Sequence, residues 1–77
     1  MEIGNGNFAI GTYGGGINIL SSSGEIQRFR NDRNNPKSLS SDKITHMIPG
    51  PNNTIWIATN GGGINQFDLA TKEFLRL

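Results

Sequence analysis

The sequence has no cysteine and a single histidine, His46. No disulfide can staple the chain, and one imidazole without a thiolate is too little for a protein-only metal cage. No motif implies a cofactor. Neither sign of charge is in excess: 7 basic and 6 acidic residues leave a net +1, which gives no electrostatic footprint for nucleic acid or an anionic membrane. Long apolar runs are missing too. No stretch approaches the ~18 residues of a membrane span, and the opening MEIGNGNF lacks the basic and apolar regions of a signal peptide. A chain of 77 residues buries only roughly 60% of its unfolded surface. With disulfides and metals excluded, neighbours are expected to complete its core.

What is abundant is glycine, 11 residues of 77, against a usual share of about 7%. The glycines fall in a repeat. Ile10 to Asn18 reads IGTYGGGIN and Ile57 to Asn65 reads IATNGGGIN; the triplets begin at 14 and 61, and seven of nine positions are identical. GNGNFAIGT likewise matches GPNNTIWIAT, and GEIQRF matches KEFLRL after a one-residue slip. Repeats of ~40 to 50 residues built from short strands are the spacing of β-propeller blades, whereas helical solenoids need a helical period of hydrophobicity that is absent here.

Alternation and turn signals place strands at Phe8 to Thr12, Ile17 to Leu20 and Glu25 to Arg30, then at Lys43 to Ile48, Ile55 to Thr59, Ile64 to Asp68 and Glu73 to Leu77. The expected fold is all-β, a propeller fragment of just under two four-stranded antiparallel blades. Residues 1–30 form a partial blade whose opening strand is missing, with Met1 to Ile3 a remnant at most; 31–41 form an inter-blade linker, and 42–77 a complete blade. The glycine triplets turn the second strand into the third, where positive φ is needed. The apolar run Ile55 to Ala58 reads as an inner strand between neighbouring blades. Trp56, which stands where the first copy has Ala9, is expected to fill the space between blades and to contribute ~2 to 3 kcal/mol.

The run TIWIATNGGGINQFD, its counterpart IGTYGGGIN and the connecting FRNDRNNPKSLSSDKITHM resemble the two-component regulator propeller repeat of bacterial hybrid histidine kinases, over nearly the whole chain. The resemblance implies part of a periplasmic, extracytoplasmic sensor that recognises a carbohydrate breakdown product and signals to a kinase. It implies neighbouring blades as partners, from a parent chain or from other copies, and hence a homo-oligomer or an aggregate in isolation. A glycan-derived ligand is implied, with no nucleic acid and no direct membrane contact.

Candidate sites are few. Gly11, Gly14 and Gly16 do not form a phosphate loop, because no helix follows to offer its N-terminal amides. Ser40, Asp42 and His46 assemble on paper into a hydrolase triad, but no nucleophile elbow accompanies them, so no enzyme is expected. Asn18 and Asn65 recur after the glycines and are expected to bond backbone near the hairpin. Arg28 and Arg76 recur as solvated outer-strand charges. In an up-and-down blade the hairpins at Tyr13 and Asn60 share a rim with the linker Asn31 to Ser41. Tyr13, Arg33, Asn34 and Asn60 are therefore the candidate ligand-binding residues, an aromatic platform with amide and guanidinium donors suited to sugars. A structural or protein-interaction propeller is the alternative, and a propeller lyase a more distant one.

Overall fold

A computed structural model describes all of residues 1–77. The chain is all-β. Strands β1 (Glu2–Gly4), β2 (Asn7–Gly11), β3 (Ile17–Leu20) and β4 (Ile26–Phe29) form one sheet; β5 (Ile44–Pro49), β6 (Thr54–Thr59), β7 (Gly63–Asp68) and β8 (Glu73–Arg76) form the other. Each is an antiparallel meander in sequence order, the strand order of a propeller blade.

One expectation is corrected. The first sheet has its opening strand: Glu2 pairs with Phe8 and Gly4 with Asn7, and Met1 exchanges two main-chain hydrogen bonds with Ala9, at 2.8 and 2.9 Å. The strand is hard to recognise because it is 3 residues long and bulged, too short for alternation to register.

The sheets pack through one face each. Ala9, Ile17 and Ile19 come from the first, Ile44, Ile55, Ile57, Phe67 and Phe74 from the second, and Leu39 from the linker. Phe67 stacks on Phe74 with ring centroids 4.2 Å apart, and half-buried Phe29 reaches across to Phe67 at 5.1 Å. The sheets approach most closely at β2 and β5. A Cβ on Gly11 would lie 2.6 Å from Cγ2 of Ile44, so only glycine admits β5 there.

The repeat makes the two faces of each sheet predictable from one another. Ala9, Ile17, Ile19 and Phe29 of the packed face correspond to Trp56, Ile64, Gln66 and Leu77 on the outer face of the second sheet. Conversely, Ile57, Phe67 and Phe74 correspond to Ile10, Leu20 and Ile26 on the outer face of the first. Seven exposed large hydrophobic residues, Phe8, Ile10, Ile26, Ile48, Ile64, Leu75 and Leu77, lie on these two outer faces. Trp56 lies there too, half-buried. The space between these two sheets is thus held by phenylalanines and isoleucines, and Trp56 belongs to a face that nothing in the chain covers.

The accessible surface is 4712 Å², close to the about 4,600 Å² usual for a folded monomer of this mass. Compactness is ordinary; the placement of apolar side chains is what departs from a solvated monomer.

Candidate functional site

Both glycine hairpins are built alike. Gly14 and Gly16 have φ of 117° and 74°, and Gly61 and Gly63 have φ of 92° and 74°, all in the region that L side chains avoid. A threonine latches each turn. Thr12 Oγ1 donates to the Gly16 carbonyl at 3.0 Å and accepts from the Gly15 N–H at 3.0 Å. Thr59 Oγ1 does the same with the Gly63 carbonyl at 2.9 Å and the Gly62 N–H at 3.1 Å.

The segment leading into β5 stitches the two hairpins together. The Asp42 carbonyl accepts from the N–H groups of Gly14 (3.0 Å) and Gly16 (2.9 Å), and the Lys43 carbonyl accepts from Asn60 N–H at 2.9 Å. The Asp42 carboxylate accepts from Asn31 N–H at 2.6 Å and lies 3.5 Å from Arg30. An open cleft of about 460 Å³ results, lined by Asn31, Ser40, Ser41, Asp42, Lys43, Asn60 and two of the hairpin glycines. At its edge, Asn60 Nδ2 donates to the Tyr13 hydroxyl, and Lys43 Nζ sits 5.7 Å from the Tyr13 ring centroid, within cation–π range. Hydroxyl, amide, carboxylate and ammonium groups beside a ring, with Asn31, Asn60 and Lys43 exposed and Ser40, Ser41 and Asp42 half-buried, are the donors, acceptors and platform that a polyhydroxylated ligand engages.

Of the four sequence-derived candidates, Tyr13 and Asn60 are brought together. Arg33 and Asn34 do not line this cleft. Asn34 N–H instead donates to Asp32 Oδ1 at 3.0 Å, a local turn that carries both residues outward. A second hollow, of about 450 Å³ beside Asp68 and Glu73, has its central groups engaged: Asp68 Oδ1 accepts from Ala70 and Thr71 N–H, and Thr54 Oγ1 donates to the Pro51 carbonyl.

The paper triad is not a constellation. Ser40 Oγ donates to the Gly62 carbonyl at 2.8 Å and accepts from Asn65 Nδ2 at 2.7 Å. Asp42 is committed to Asn31 and Arg30. His46, opposite Ala58, projects on the outer face of the second sheet.

Two residues do more than their sequence reading assigned. Asn65, fully buried, bonds to Ser40 of the linker and not to its own hairpin. Arg76 is exposed on the outer strand, as expected, and in addition donates to the Ser38 carbonyl at 3.0 Å and the Asn35 carbonyl at 3.2 Å. The signal was in the sequence, as Ser-Leu-Ser lies in the linker ahead of a blade with a repeated Asn and Arg, but no local rule joins residues 25 to 41 positions apart.

Comparison with protein-family models finds no match, and comparison with curated proteins finds none either.

Proposed function

We propose that this chain is a two-blade segment of the extracytoplasmic, periplasmic propeller sensor of a two-component signalling receptor, and that it helps recognise a carbohydrate breakdown product without catalysing a reaction. The observation that carries this reading is the stitched rim. Two equivalent hairpins hold Tyr13, Asn60, Lys43 and Asp42 around one open polar cleft, on strands rigid enough to position them. The dispersal of Ser40, Asp42 and His46 into separate contacts supports a binding role over hydrolysis.

Titration with a panel of neutral and acidic disaccharides to tetrasaccharides, followed by amide chemical shifts, tests it. Saturable shifts at Gly14, Lys43 and Gly61 are expected with at least one sugar, at an affinity of about 1 mM. Tyr13→Ala and Asn60→Ala should each abolish them with the fold unchanged. No saturable shift with any sugar sinks the reading.

The outer apolar faces favour neighbouring blades as partners, supplied by further repeats or by other copies. Copies are expected to stack head to tail, the second sheet of one on the first sheet of the next. Ile26→Asp blocks one face and Ile64→Asp the other, so each variant alone should sediment as a monomer and their mixture as a dimer. Wild type remaining monomeric at high concentration would exclude this association.

A further inference from the structure

The linker is held by a two-residue device. Asn65 on β7 and Arg76 on β8 stand opposite one another. Asn65 Oδ1 accepts from Ser40 N–H at 3.1 Å, while Nδ2 donates to Ser40 Oγ at 2.7 Å. Arg76 donates from Nε to the Ser38 carbonyl at 3.0 Å, and from Nη2 to the Asn35 carbonyl at 3.2 Å and to Ser38 Oγ at 3.0 Å. Between these anchor points Leu39 is completely buried.

The first sheet carries the same device with nothing on it. Asn18 on β3 and Arg28 on β4 stand opposite one another, beside Ile10, Leu20 and Ile26 where the second sheet has Ile57, Phe67 and Phe74. These five residues line a hollow of about 250 Å³. Neither the Asn18 amide nor the Arg28 guanidinium hydrogen-bonds to any group of the chain, although Asn18 is half-buried.

We propose that this face is a binding site for a peptide segment of the linker's own type, Asn-x-x-Ser-Leu-Ser, carried by another polypeptide. Asn18 holds the main chain and hydroxyl of the last serine, Arg28 holds the asparagine carbonyl and the first serine, and the leucine lies over Ile10, Leu20 and Ile26. The linker's local bonds favour such recognition. Ser38 N–H donates to the Asn35 carbonyl at 3.1 Å, Lys37 N–H to Asn35 Oδ1 at 2.9 Å and Asp32 N–H to Ser38 Oγ at 2.9 Å. A segment so folded around Pro36 loses little further freedom on docking. Arginine suits the seat because its planar fork holds two donor nitrogens at a fixed spacing, as Arg76 does with Nε and Nη2 on three acceptors, whereas an ammonium donates from a single nitrogen. The proposal rests on the equivalence of the two sheets and is independent of sugar binding at the rim.

The test is titration of a synthetic peptide with the sequence of Asp32 to Asp42 into the full chain carrying Ile64→Asp, which prevents another copy from covering the first sheet. Saturable amide shifts are expected along β3 and β4 around Asn18 and Arg28. Asn18→Ala and Arg28→Ala should each weaken binding about tenfold. Arg28→Lys should not rescue it, and Gln27→Ala, on the other face of β4, should leave it unchanged. A peptide with aspartate in place of leucine should be silent. Shifts at Ser40 and Asn65, meaning that the peptide only displaces the chain's own linker, would overturn the proposal. So would the absence of saturable shifts, or binding that Asn18→Ala and Arg28→Ala leave intact.

Discussion

Phe67→Ala is expected to destabilise the fold by ~3 to 5 kcal/mol, the range for truncating a buried aromatic side chain in a packed core. Phe67 is fully buried and makes the two closest of the three aromatic contacts, with Phe74 stacked at 4.2 Å and Phe29 tilted at 5.1 Å. Removing it opens a cavity between the sheets at the place where the linker leucine also packs. Total stability for a chain this size is only about 4 to 12 kcal/mol, so the loss is a large fraction of the whole. Urea titration followed by Trp56 fluorescence measures the loss. A midpoint within experimental error of wild type would mean that the two sheets do not pack through this face in solution. Trp56→Phe is the matching contrast, since the half-buried indole lies on the uncovered outer face and its change should cost well under half as much; circular dichroism replaces fluorescence for that variant.

Gly16→Ala is expected to cost on the order of 3 kcal/mol, far more than Gly63→Ala at the equivalent position. Both glycines have φ of 74°, so the backbone strain of about 1 to 2 kcal/mol for a left-handed alanine is common to the pair. Their surroundings differ. A Cβ at Gly16 would overlap the Phe29 carbonyl oxygen and crowd Cα of Arg30 at 3.3 Å, whereas a Cβ at Gly63 would meet only the Leu77 carbonyl at 3.7 Å. The difference between the two variants therefore isolates the overlap with β4. It also reports on the rim, because displacing Gly16 pulls on Asp42, whose carbonyl accepts from Gly16 N–H at 2.9 Å. Thermal melts of the two variants should separate by several degrees. Equal melting temperatures would show that β4 moves aside freely and that the hairpin is not pinned to its neighbour.

The repeat and the strands it contains were legible in the sequence because each is a local property. Alternation along Ile17 to Leu20, the apolar run at Ile55 to Ala58 and the glycine triplets all express main-chain preferences over a few residues. The strand at Glu2 to Gly4 was not legible: it pairs through main-chain groups that any residue possesses, and three residues with a bulge carry no pattern. At the site, Tyr13 and Asn60 could be placed on one rim because hairpins in a meander alternate between ends. Arg33 and Asn34 could not be placed, because a linker's course is fixed by its side-chain bonds, here the turn at Asp32.

Sequence by itself determined the all-β class, the two repeated units with seven of their eight strands, and the positive-φ turns, since these follow from residue periods and from glycine's freedom. Only the tertiary structure decided which face of each sheet is covered. Alternation marks both faces of β6 as apolar, yet Ile55 and Ile57 are buried while Trp56 is left half-exposed. The reason is steric: Ala9 and Gly11 let the second sheet close onto the first, and a single linker with Leu39 at its centre fixes which side that sheet presents. Likewise, the same Asn and Arg pair is a filled clamp on one sheet and an open seat on the other, because burial and hydrogen bonding depend on what the chain brings alongside and not on the residues of the pair.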